Sequence, residues 1–276
     1  MRYIPLSNSV YKRNRRNFMD EMKGNSLAVF NSNDIYPVSA DSELPFEQHR
    51  DIFHLTGIDQ EETILILYPA SKNHKTREIL FIRKSDNHTK VWEGEKLSKK
   101  QANELSGINN ICYIEDFKDV LSSIATKVDT FYINKNEHYR ANSPVETRED
   151  RFISWLLKKY PAHNVAKSNP ILQRQRSIKH PYEIDQIKRA CEITEKGFNR
   201  VLKFIKPNIW EYEIEAEFIH EFINNSSKGF AYSPIIASGN DNNVLHYIKN
   251  NKQCKSGELI LMDVGAEYGN YSSDMT

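Results

Sequence analysis

LILMDVGAEYGNYSSDMT, Leu259 to Thr276, contains two runs around a turn, each carrying one aspartate. Strand side chains alternate between faces, so Leu259, Leu261 and Asp263 share one face, and Ile260, Met262 and Val264 the other. Tyr268-Gly269 suits a two-residue hairpin turn, because glycine supplies the positive φ such turns need. That turn sets Asp263 directly opposite Asp274 on the same face. Opposed β carbons lie about 4.5–5.5 Å apart, and like charges at that separation repel. Asp263 points where Leu259 and Leu261 point, so its burial is expected. Two buried, opposed carboxylates either share a proton or hold a divalent cation. A solvent-facing hairpin with solubilising acids is the plainer alternative.

Working back from the hairpin, Pro234 to Ala237 reads as a strand, Ser238 to Asn243 as a tight polar turn and Val244 to Tyr247 as a return strand. His246 follows two apolar residues. A lone histidine there is either a satisfied core residue or, where it faces the aspartates, a hydrogen-bond donor to substrate near a cation. Two helices are expected upstream. Pro181 opens the first at a position where a missing N–H costs nothing, and Pro207 stops it. Ile184, Ile187, Cys191, Thr194, Phe198, Val201, Leu202 and Ile205 keep helical spacing through it. The second spans about Glu211 to Asn224, and its acids (Glu211, Glu213, Glu215, Glu217, Glu221) are expected to form a solvated face. Two helices followed by antiparallel strands indicate an α+β domain.

The N-terminal part differs. A helix from about Ser9 to Met22 is expected to turn Val10, Phe18 and Met22 inward and its basic residues (Lys12, Arg13, Arg15, Arg16) to water. Strands are expected at Ser26 to Phe30, Phe53 to Thr56, Thr63 to Tyr68, Glu78 to Arg83, Ile111 to Ile114 and Thr130 to Ile133. Helices are expected at Ser98 to Leu105, Phe117 to Ala125 and Glu149 to Lys159. Strands alternating with helices indicate an α/β layer domain. Pro161 to Lys179 is polar, basic and proline-containing and reads as the boundary, dividing the chain into 1–172 and 173–276.

With 38 basic and 37 acidic residues the net charge is +1, which argues against a nucleic-acid-binding role. Cys112, Cys191 and Cys254 are far apart, fit no zinc or disulfide framework and point to a reducing, cytoplasmic setting. The basic N-terminus lacks the apolar core of a signal peptide, and the strongest apolar run, Thr63 to Tyr68, is too short to span a membrane.

These residues carry a family resemblance. Lys179-His-Pro-Tyr-Glu-Ile before the long helix, Ile236-Ala-Ser-Gly-Asn, Leu245-His246-Tyr247 and the Asp263/Asp274 pair resemble the first part of the pita-bread metallopeptidase domain. Methionine aminopeptidase, prolidase, creatinase and aminopeptidase P share that domain. Phe53-His-Leu-Thr-Gly57, Phe81-Ile-Arg83 and Trp92-Glu-Gly94 resemble the creatinase/aminopeptidase P N-terminal domain. The implied fold is thus an α/β N-terminal domain followed by the first part of an α+β pita-bread domain.

The aminopeptidase P (Xaa-Pro aminopeptidase) branch implies release of an N-terminal residue ahead of proline. It also implies a homodimer or homotetramer and two divalent ions, commonly manganese. By the resemblance Asp263 binds one ion and Asp274 bridges both. His246 hydrogen-bonds the reacting peptide. Tyr232 lies at the substrate pocket or, alternatively, in the core. Trp92 reaches a neighbouring subunit's active site or is structural. One histidine and two glutamate ligands are implied downstream of Asp274, and the sequence stops two residues after it, at Thr276. The chain by itself is therefore expected to lack a complete dinuclear site and to be inactive. Prolidase, creatinase and a non-catalytic pita-bread peptide- or protein-binding module are the alternative readings. Creatinase is the weaker, because its site lacks the metal-binding carboxylates.

Overall fold

A computed structural model describes residues 2–135 and 144–276. Among the described residues, those within 6–178 form one compact unit; 179–276, with 2–5, form a second. In chain order the first unit comprises α1 (Asn8–Glu21), β1 (Ser26–Asn31), β2 (Pro37–Ser39), β3 (Ser42–Glu43), α2 (Arg50–Thr56), β4 (Ile64–Leu67) and β5 (Glu78–Ile82). These are followed by α3 (Asn87–Trp92), α4 (Lys99–Ser106), β6 (Ile111–Tyr113), α5 (Phe117–Ala125), β7 (Thr130–Ile133), α6 (Arg148–Lys159), β8 (Asn164–Lys167) and α7 (Asn169–Ser177).

The main sheet of this unit runs β6-β5-β4-β1-β7-β8. β4 is antiparallel to both β1 and β5, whereas β1, β7 and β8 are mutually parallel neighbours. Helices cover both faces, which is why β1 reads as one unbroken apolar run rather than an alternating one. Ala28 and Phe30 pack against Phe18 of α1 and Ile52 and Leu55 of α2. Leu27 and Val29 pack against Phe117 and Leu121 of α5 and Leu156 of α6.

Several expectations are corrected. Phe53 to Thr56 is not a strand but the end of α2. The His49 ring accepts from the Asp51 N–H at its start, and Gly57, at φ 69°, closes its last turn with an N–H to the Phe53 carbonyl of 2.7 Å. A buried apolar run this short carries no periodicity that separates strand from helix, and the caps decide. Pro161 to Lys179 holds β8 and α7. β8 is polar and largely exposed at the sheet edge, so it lacks the apolar pattern that marks a strand. Arg15 does not face water. It is fully buried, and its guanidinium donates to the Leu55 carbonyl at 2.7 Å, the Ser106 carbonyl at 3.0 Å and Glu78 at 3.0 Å. It thereby satisfies carbonyls in the last turns of α2 and α4.

Glu149, in the first turn of α6, is a half-buried carboxyl whose side-chain oxygens are drawn into the unit. It accepts a hydrogen bond from Asn31 Nδ2, while its Oε1 is buried without a partner among the described residues. Burial outweighs these hydrogen bonds and the nearby Arg148 charge, pushing its carboxyl from 4.5 up to about 8. The folded protein therefore keeps a proton that the unfolded chain releases from about pH 4.5 upward. Stability from this group is full below pH 4.5 and is lost progressively as pH rises through about 8. Glu149→Gln keeps the acceptor for Asn31 and removes the titration. Between pH 5 and pH 8 the wild type should lose on the order of 3 kcal/mol relative to this variant. Urea unfolding at the two pH values measures it, and parallel curves would refute it.

The second unit contains α8 (Pro181–Phe204), α9 (Glu211–Asn224), β9 (Ile235–Ser238), β10 (Ile260–Asp263), β11 (Glu267–Tyr268) and β12 (Tyr271–Ser272). The buried stripe of α8 is Ala190, Ile193, Thr194, Gly197 and Val201. Ile184, Cys191 and Leu202, which keep the helical spacing, lie off this stripe and are exposed. Gly197 sets this face, because a Cβ there would press into the rings of Phe218 and Phe222 on α9. β9 pairs antiparallel with β10, Ile235 opposite Asp263 and Ser238 opposite Ile260. Val244 to Tyr247 is not its return strand. A short 3-10 turn (Gly239–Asn243) leads instead into an irregular segment.

Candidate metal centre

The final hairpin turns at Gly269-Asn270, both with positive φ (60° and 67°), rather than at Tyr268-Gly269. Two left-handed residues make the I′ geometry that suits a two-residue hairpin, and asparagine tolerates that region. The Asn270 N–H also donates to Glu267 Oε1, which fixes the turn. Tyr268 pairs with Tyr271, Glu267 with Ser272 and, further along, Val264 with Met275. The register differs by two residues from the expected one. A shift of two preserves the face, so Asp263 and Asp274 remain on the same side but lie diagonally rather than directly opposite. Neither is fully buried: Asp263 is half-buried and Asp274 exposed.

The two carboxylates converge on Tyr232. Its hydroxyl lies 2.7 Å from Asp263 Oδ1 and 2.8 Å from Asp274 Oδ1. The loop before β9 delivers this side chain, because the Ala231 N–H donates to the Gly265 carbonyl at 2.8 Å and Phe230 bridges to Ala266. Gly265 permits the close approach, since a Cβ there would run into the Ser273 carbonyl. Behind it, the Thr194 hydroxyl joins Ser273 Oγ at 2.7 Å and accepts from the Ala266 N–H at 2.9 Å, fastening the hairpin to α8. Burial, then the hydrogen bonds and charges of both aspartates, push the Tyr232 phenol well above its ordinary range, so it stays protonated.

A phenol has one proton to give, so only one of the two contacts is a tyrosine-donated hydrogen bond at any moment. Two carboxylates gathered in this way suit a divalent cation. The set is partial: among the described residues no group of three or more His, Cys, Asp and Glu side chains could hold a metal ion. His246 is exposed in the irregular segment after the 3-10 turn and makes no hydrogen bond to either aspartate among the described residues. Trp92 ends α3 in the other unit, 74% exposed and stacked on His88 at 5.9 Å.

Residues 11–132 match the aminopeptidase P N-terminal domain, and residues 185–276 match metallopeptidase family M24. The chain belongs to the M24 metallopeptidases of aminopeptidase P type. Membership of M24 implies divalent metal ions. Among its relatives, the Xaa-Pro aminopeptidase of Escherichia coli is 28% identical over 277 residues, covering 98% of this chain and 62% of that protein. Xaa-Pro aminopeptidase 3 of Homo sapiens is 28% identical over 248 residues, covering 89% and 48%. The structure of zinc-substituted E. coli aminopeptidase P in complex with product superposes with a TM-score of 0.87 at 27% identity, covering 98% of this chain and 62% of that one. E. coli aminopeptidase P with the inhibitor Pro-Leu gives 0.86, with the same identity and coverage. The chain thus spans about three fifths of the bacterial M24 relative and half of the human one. Among the described residues no helix is long and apolar enough to cross a membrane.

Proposed function

We propose that this protein is a cytoplasmic Xaa-Pro aminopeptidase that releases the N-terminal residue from peptides with proline second. The observation that carries the reading is the convergence of Asp263 and Asp274 on the Tyr232 hydroxyl, in a chain whose relatives are Xaa-Pro aminopeptidases. Asp263 and Asp274 would hold two divalent ions, manganese by preference, with further donors completing the set. Ions bound there supply Lewis acidity toward the scissile carbonyl and an activated water. Tyr232, whose hydroxyl reaches both carboxylates, orients them and would line the substrate pocket. His246, exposed on its segment, hydrogen-bonds the reacting peptide, and Trp92 serves a subunit contact in a dimer or tetramer.

The test uses the complete protein and three peptides: a tripeptide with proline second, the same tripeptide with alanine second, and an Xaa-Pro dipeptide. Cleavage of the first, abolished by chelation and restored by manganese, is the expected result. Equal cleavage of the alanine peptide, or activity indifferent to chelator, overturns the reading. Preference for the dipeptide turns it into a prolidase.

A further inference from the structure

Glu211, the first residue of α9, is completely buried. Its Oε1 accepts from the Ser238 N–H at 2.7 Å and the Ser238 hydroxyl at 2.8 Å. Its Oε2 accepts from the Tyr247 hydroxyl at 2.9 Å and the Lys252 N–H at 2.9 Å. A buried carboxylate is costly unless its oxygens are fully satisfied, and here each accepts two hydrogen bonds at a helix N-terminus, where the dipole favours negative charge. The expected solvated face of α9 does not exist at this position. Nor does it at Glu215, which accepts from Asn250 Nδ2 at 2.8 Å.

The three partners of Glu211 are spaced along one segment. Ser238 ends β9, Lys252 marks the return toward α9, and Tyr247 lies between them. Lys252 reinforces the closure by donating Nζ to the Ser238 carbonyl at 2.8 Å. Asn250 ties the same segment to β9 through the Ile236 N–H at 3.0 Å. Val244, Leu245, His246 and Ile248 are exposed, whereas Tyr247 is buried. Tyr247 is therefore the inward anchor immediately beside His246. Burial and Glu211 push its phenol up to about 12, so it remains a donor at neutral pH.

We propose that Glu211 is a positioning residue that clamps the 239–252 segment through Tyr247 and so fixes where His246 is presented. The inference rests on the role given to His246 above. Glu211→Gln places an amide N–H against partners that are themselves donors, so it breaks the hub. Tyr247→Phe removes a single hydroxyl and leaves the Lys252 bond to the carboxylate intact.

Hydrogen–deuterium exchange and peptide kinetics on the complete protein test the clamp together. Exchange in 239–252 should rise at least about tenfold in Glu211→Gln, with α8 unchanged. Tyr247→Phe should lower kcat about tenfold and leave KM within about twofold. In a His246→Ala background Tyr247→Phe should have no further effect, because it acts through the histidine. Unchanged exchange in Glu211→Gln overturns the clamp. Additive losses in the double variant overturn its action through His246. If the wild type cleaves no Xaa-Pro peptide, the function proposed above fails while the exchange result still decides the clamp.

Discussion

Asp263→Asn should reduce Xaa-Pro cleavage by the complete protein by at least about a thousandfold, on the order of 4 kcal/mol of transition-state stabilisation. The substitution is isosteric, so β10 should keep its pairing with β9 and the fold should survive. The site loses a full negative charge where a divalent ion would be held. It also exchanges a hard oxygen donor for an amide group that either turns its N–H toward the ion or leaves one weaker carbonyl. Tyr232 retains Asp274 as a partner, so the loop that carries it should not move. Calorimetric titration of manganese should show affinity reduced at least about tenfold alongside the loss of activity. An Asp263→Asn variant with activity within a few-fold of wild type would remove the aspartate pair from the metal site.

The second large effect concerns Arg15. A guanidinium is charged at every accessible pH, and this one is sealed in the first unit with four neighbours arranged around it: α1 itself, the Leu55 and Ser106 carbonyls and Glu78. Its burial lowers its pKa and the Glu78 carboxylate opposes that. Arg15→Met preserves much of the apolar stem but strands two helix-end carbonyls and Glu78. Breaking a buried pair in this way costs about 3–5 kcal/mol. In a unit of this size each kcal/mol is worth about 2–4 °C, so the melting temperature should fall by about 6–20 °C. Arg15→Lys should recover little, because one ammonium cannot reach what the planar fork reaches. Arg16→Met, one residue along and exposed, should stay within about 0.5 kcal/mol of wild type. Equal effects at Arg15 and Arg16 would contradict the buried role.

Where local chemistry is complete, the elements can be read from the chain. Ser98 caps α4 in a box with Gln101, α5 and α9 have the bounds that their periodicity and flanking residues imply, and β7 is as expected. The misjudged charges, Arg15 and Glu211, share a physical origin in contacts between residues distant in sequence. Nothing near Arg15 announces that two helices end against it, and nothing near Glu211 announces Ser238, Tyr247 and Lys252. Charged residues are read as exposed by default, and these two are held inside by partners that periodicity cannot see. The hairpin shows the converse. Its turn is displaced by one residue, yet the period of two keeps Asp263 and Asp274 on one face. The Tyr232 bridge between them, more than thirty positions from either end of any local pattern linking it to Asp263, is visible only in three dimensions.

The two outer strands of the six-stranded sheet bear on how the protein behaves when crowded. β6 is three residues long, and Lys99 Nζ sits over its Tyr113 ring at 4.2 Å. β8, at the other side, is Asn-Val-Ala-Lys and largely solvated. Open sheets aggregate by recruiting further strands along bare, flat, apolar edges. Here one edge is too short and guarded by lysine, and the other too polar, to template such growth. The apolar strands between them, β4 and β1 above all, are locked in the middle of the sheet, where no second molecule can pair with them.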